Sequence, residues 1–175
     1  MSDFLWSGVL LLALVLFWAI GAYNRLVRLR ATVGVAFGAL DPLLGERLAW
    51  VQGAPPHDLA QAEAGARLGA AADQWALALA PVRAQPANGP AVLSLAQAQA
   101  ALEAAWAAAA PADAAHALHA QWDRLRHQEL PLLAAFNEAV RAYNAARAQF
   151  PAAVMARLGG FRPAQALAPA EGARA

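Results

Sequence analysis

The run Phe4–Ala22, "FLWSGVLLLALVLFWAIGA", carries no charged side chain across nineteen residues, and it constrains this chain more than any other feature. As a helix rising 1.5 Å per residue it is about 28 Å long, close to the roughly 30 Å hydrocarbon core of a bilayer. Trp6 and Trp18 stand near its two ends, where amphipathic rings sit at the head-group level. A cleaved secretory leader would instead have a cationic start, a shorter apolar core and a small-x-small cleavage site. Here Asp3 precedes the run, and no such site stands before Tyr23. The expected organisation is a short extracytoplasmic N-terminus (residues 1–3), an uncleaved transmembrane helix (4–22), a helical bundle (23–162) and a disordered tail (163–175). Glu103 and Pro111 break the one later stretch of comparable apolarity. The chain is therefore expected to be single-pass, which argues against a one-chain channel or transporter.

Arg25, Arg28 and Arg30 follow the run, and no Arg or Lys precedes it. Arginines close to a span end stay cytoplasmic, so the domain is expected inside a bacterial inner membrane and the N-terminus outside. The same three side chains can attract anionic lipid heads, each worth on the order of 1 kcal/mol near the surface. With 13 Arg, no Lys and a formal net charge of +1, the chain has no clustered basic footprint of the kind nucleic acid requires. There is no cysteine, which excludes disulfides and thiolate chemistry. Alanine dominates the 60% hydrophobic content while Ile and Thr are nearly missing. Since alanine loses no side-chain entropy in a helix, the expected class is all-α.

Beyond the membrane edge, Leu26, Leu29, Val33, Phe37, Leu40, Leu44, Leu48 and Val51 recur every three or four residues and form one helical stripe. Asp41-Pro42 interrupts the sequence but not the phase, which predicts a kinked helix rather than a new one. Gly53–Asp58 reads as a turn, with Asp58 and Gln61 as a reciprocal cap for a helix over about 57–80. "PVRAQPANGP" (81–90) reads as the clearest loop, expected far from the membrane. Helices over about 91–109 and 112–149 follow. The last carries its own stripe of Leu118, Trp122, Leu125, Leu132, Phe136, Val140 and Tyr143. Trp75 and Trp106 are the expected large fillers of the middle pair. The predicted fold is a transmembrane helix followed by an antiparallel four-helix bundle with short loops.

Candidate chemistry is sparse. Asp113, His116, His119, Asp123 and His127 share one helical face and resemble a metal-binding stripe. At about 100° per residue that face centres near 300°, against about 140° for the apolar stripe. A solvated face is the expected outcome, with no metal. Ser2, Ser7 and Ser94 are the only serines, and none stands in a nucleophile turn. No phosphate-binding loop is present. No catalytic residue and no cofactor are expected. Asp41, beside the first stripe, reads as an exposed or capping carboxylate, or as the partner of an Arg on the last helix.

"YNRLVRLRATVGVAFGALD" (23–41) resembles the opening signature of the LemA family, approximately Y-N-x-L-V-x-L-R-x-x-V-x-x-A-W-x-x-I-D directly after a membrane helix. Tyr23, Asn24, Leu26, Val27, Leu29, Arg30, Val33, Ala36 and Asp41 match, with Phe37 for Trp and Leu40 for Ile. "FNEAVRAYNAARAQFPAAVMARLGGFRP" resembles the closing signature through Phe136, Asn137, Ala139, Val140, Tyr143, Asn144, Phe150, Pro151, Gly160 and Phe161. The middle of the chain is dissimilar, and an "IPN" motif usual after the first Asp is missing. The resemblance implies a membrane-anchored antiparallel bundle without established enzymatic activity. Some relatives are associated with inner-membrane organisation or membrane-protein quality control.

The two Tyr-Asn pairs and Phe136-Asn137 suggest a membrane-proximal role. In an antiparallel bundle the first helix starts where the last one ends, so these groups are expected to hydrogen-bond across that pair. "AAVMARLGGF" is expected to lie against the membrane as a short amphipathic piece. The leading functional expectation is a non-catalytic interaction or scaffold module. Its partners would be the lipid bilayer and an unidentified protein, a second copy of the chain included, but no nucleic acid. A ligand-binding sensor bundle is the alternative. A metal-dependent enzyme using the His/Asp stripe ranks third.

Overall fold

The computed structural model describes residues 2–53, 62–110 and 115–167, with side chains described over 6–53, 62–110 and 117–167. Five helices follow one another: α1 (Ser2–Gln52), α2 (Ala62–Ala84), α3 (Gly89–Ala109), α4 (Ala115–Ala148) and α5 (Ala152–Leu158). No strand occurs among the described residues. The fold is all-α: a long apolar N-terminal helix runs into an antiparallel bundle. The Asp58–Gln61 cap expected from the sequence lies outside the described residues, as do Pro111 and Asp113.

The helix of the apolar run and the first bundle helix are one unbroken element of 51 residues, about 77 Å long at 1.5 Å per residue. It is long and apolar enough to cross a membrane, and its apolar window is not buried against the bundle. Phe17 is 77% exposed and Leu10 69%. A helix apolar on every side and uncovered by protein has no stable place in water.

From Leu26 onward one face of α1 turns inward. Leu26, Val33, Phe37, Leu40, Leu44, Arg47 and Val51 are all buried, at steps that repeat a heptad. On α4 the buried set is Trp122, Leu125, Glu129, Leu133, Phe136, Val140 and Tyr143. Leu133, rather than Leu132, holds the inward position; the step from Glu129 is four where a strict three-four alternation would be three. The two seams pack antiparallel, with Phe37 and Phe136 edge to face at 5.9 Å. Trp75, fully buried, and Trp106 fill the middle pair as expected.

Three prolines lie inside helices: Pro42, Pro81 and Pro131. Each removes a backbone donor and leaves the carbonyl four residues earlier without its helical partner. Those carbonyls belong to Gly38, Leu77 and His127, all exposed residues. Water can therefore satisfy them, and the helices continue. For this reason α2 runs on through Pro81, and the loop shrinks from the expected 81–90 to 85–88. There Asn88 Oδ1 accepts the Ala91 N–H at 3.3 Å and caps α3. Because α1 runs away from its apolar end and α2 returns, this loop faces the apolar end of α1, not the far end as its sequence position suggested.

The α2–α3 hairpin covers only the far half of the α1–α4 pair. Gln52 reaches Asp73, and Arg83 reaches Asp41, so α2 ends beside the middle of α1. Nearer the apolar run, α5 and the segment after it take the place of α2 and α3. Gly160 ends α5 at φ 66°, with the Phe161 N–H bonded to the Ala156 carbonyl at 2.9 Å. A left-handed residue at this position suits glycine. A Cβ on Gly159 would come within 2.8 Å of the Phe161 ring.

Candidate functional site

The end of the bundle next to the apolar run gathers most of the residues singled out in the sequence. Tyr23 meets Phe161 edge to face at 5.5 Å, and Trp18 meets Phe150 in the same manner at 5.0 Å. Phe150 (73% exposed), Val154 and Leu158 (78% exposed) form the uncovered face of α5, four residues apart, beside the end of the apolar run. Pro151 opens α5. Arg25, Arg28 and Arg30 are exposed on α1 just beyond it.

The asparagines and Tyr143 act differently from expectation. Asn144 donates to the Ala164 carbonyl at 2.8 Å and accepts the Ala164 N–H at 3.0 Å. Asn137 does the same to Leu167, at 2.8 and 2.9 Å. Tyr143 donates to the Arg162 carbonyl at 2.8 Å, and burial pushes its phenol above the usual value against the opposing pull of Arg30 and Arg147. None of these bonds crosses to α1, and Asn24 is exposed. Each amide instead holds one extended residue by both its backbone groups, as a neighbouring strand would. Residues 163–167, expected to be disordered, are pinned along α4 with Ala164 and Leu167 buried. Residues 168–175 lie outside the described residues.

Asp41 pairs with Arg83 of α2 at 2.7 Å, not with the last helix, and it sits mid-helix rather than at a cap. Of the His/Asp stripe, Asp123 and His127 are exposed as expected, and His127 Nδ1 lies 2.7 Å from the Asp123 carbonyl. His119 departs from expectation: it is half-buried edge-on to Trp106 at 5.9 Å. Side chains of Asp113 and His116 lie outside the described set. No metal-binding group of three or more ligands occurs among the described residues.

Sequence reasoning missed the most unusual feature. Arg47, 0% exposed, sits at the centre of the far half. Its guanidinium lies 4.5 Å from the Trp75 ring centre and 5.3 Å from that of Trp122. Glu129 of α4 stands 3.2 Å away and Glu103 of α3 3.8 Å away. Gln99 of α3 donates to Glu103 at 3.2 Å. All four helices thus contribute to one buried charged cluster. Trp106 stacks on Trp122 at 4.9 Å, and Trp50 closes on both.

Burial opposes charge on both partners. It lowers the Arg47 pKa, with Glu129 and Glu103 acting in the other direction. It raises Glu129 to about 7, offset by Arg47 and reinforced by Glu103. The Arg47 nitrogens, Glu129 Oε1, Gln99 Oε1 and Trp75 Nε1 have no hydrogen-bond partner among the described residues, so Coulomb and cation–π attraction hold the cluster. The signal was legible: Arg47 stands three residues after Leu44 and four before Val51, on the seam itself, and Glu129 lies on the α4 seam, four residues after Leu125 and four before Leu133.

Comparison with protein-family models, curated proteins and solved structures finds no match for this chain.

Proposed function

We propose that this protein is a membrane-anchored, non-catalytic interaction module: a rigid helical bundle held at the cytoplasmic face of a bacterial inner membrane, in the manner of the LemA family. One observation carries the reading. The exposed apolar helix continues without a break into the bundle, so the anchor and the body are mechanically one element. The uncovered face of α5 lies beside the exit point of that helix, where an interfacial apolar strip would be buried by lipid. Arg25, Arg28 and Arg30 stand where cytoplasmic arginines stand. The surface offered to a protein partner is the α2–α3 hairpin, where Leu77 and Leu93 are exposed.

The cysteine-free chain makes the topology test clean. An Ala108→Cys variant, on an exposed position at the far end of α3, should resist an impermeant thiol reagent in intact cells and react after lysis. Reaction in intact cells would place the bundle outside and overturn the reading. A photo-crosslinking residue at Leu77 or Leu93 should then yield one discrete adduct in cells; a smear or no adduct would remove the case for a partner there.

A further inference from the structure

Beneath the overhanging α2–α3 loop is a crevice of about 200 Å³, lined by Arg30, Gln85, Asn88, Tyr143, Gly160 and Arg162 among others. Two arginines line it from different elements, Arg30 on α1 and Arg162 in the segment pinned to α4. Neither has a carboxylate partner among the described residues. No acidic side chain lines it. Tyr143 fixes Arg162 by holding its carbonyl. Asn88 spends its Oδ1 on capping α3, which leaves its Nδ2 as a donor on the crevice wall, and Gln85 adds a second amide. The first turn of α3 forms part of the same wall, so its dipole adds to the two full charges. A Cβ on Gly89 would stand 3.1 Å from the Pro163 carbonyl, so the wall closes this tightly only with glycine there.

An anion held between two cationic residues in one recess is attracted by both. We infer that this crevice binds a phosphate-bearing anion between Arg30 and Arg162, in the bidentate geometry that arginine forms with phosphate. Arg30 stands eight residues beyond the apolar run, about 12 Å along the helix, past a head-group layer about 5–8 Å deep and within reach of it only through its long side chain. The phosphate therefore comes either from an anionic lipid head or from a soluble phosphate compound. The lipid source rests on the membrane-anchored reading; the soluble source does not.

The full chain in uncharged detergent would be titrated with inorganic phosphate by calorimetry. The same protein in nanodiscs mixing phosphatidylcholine with phosphatidylglycerol would be released and weighed intact to count retained anionic lipid. One saturable phosphate per chain assigns the soluble source. Selective retention of phosphatidylglycerol assigns the lipid source. Arg30→Gln/Arg162→Gln should weaken whichever binding is seen by about tenfold or more. Arg30→Lys/Arg162→Lys should restore part of it. Arg67→Gln/Arg124→Gln removes the same charge on exposed positions outside the crevice and should change binding less than about threefold. Absence of binding in both arms overturns the site, as does equal loss in the two Gln pairs. Circular dichroism of each variant keeps unfolding from passing as loss of the site.

Discussion

Far from the apolar end of α1, α1 and α4 are joined by two more helices around a buried cation; close to it, the same two helices are joined by the seven residues of α5 and by an extended segment. The far half brings charge inside and surrounds it with tryptophan. Desolvating a guanidinium is expensive, and attraction to Glu129 and Glu103 returns part of it. The near half buries small and apolar residues and satisfies backbone through Asn137, Tyr143 and Asn144. The first arrangement depends on four helices converging. The second depends only on α4 and a short stretch of chain. The difference shows that a single pair of seams can specify two unlike neighbourhoods, depending on which positions carry polar groups.

The largest expected effect breaks the far half. Arg47→Ala leaves two carboxylates and two indole faces without their cation, and should lower stability by on the order of 3–5 kcal/mol in denaturant titration. Arg47→Met combined with Glu129→Leu should be far milder, because replacing a buried pair with apolar groups is often close to neutral. If the double variant is as damaged as the single one, the cluster does more than fill space.

In the near half, Asn144→Ala unpairs both backbone groups of Ala164. The expected loss is about 1–3 kcal/mol, and it should be local. Hydrogen exchange should quicken at Ala164 and Leu167 while the amides of α2 and α3 keep their protection. Loss of protection throughout would mean that the two halves fold as one unit.

The pH response should distinguish the halves next. Glu129 titrates near 7 in the fold, above its ordinary value of 4.5, because burial and Glu103 outweigh Arg47 and Arg126. The folded state holds that proton more tightly than the unfolded chain. Its contribution is fully present below about pH 4.5 and is lost as pH rises through about 7. Stability should therefore decline across that window, and Glu129→Gln should flatten the slope. An unchanged slope would assign the decline to another group. Smallest of all is Asp41→Asn. Its pair with Arg83 is partly exposed, 28% and 47%, and should contribute less than about 1 kcal/mol, falling further with salt.

Much of the near half was readable, though its wiring was not. Asn137, Tyr143, Asn144, Gly160 and Phe161 stand out in the sequence, but nothing local says that an amide on a helix grips residues 20 or 30 positions onward. That is a long-range pairing, invisible to periodicity. The far half failed in the opposite way. Charged residues normally face water, so Arg47 and Glu129 do not stand out in the sequence, although their positions on the two stripes point inward.

By itself the sequence determined the helical class, the apolar span, the two seams and their antiparallel packing, because these follow from alanine content and from spacing along one chain. Tertiary structure alone decided that α2 passes through Pro81, that the 85–88 loop faces the apolar end of α1, and that 163–167 are ordered. Each of those depends on where a backbone group finds its partner, in water or in a distant side chain, and spacing along the chain does not encode that.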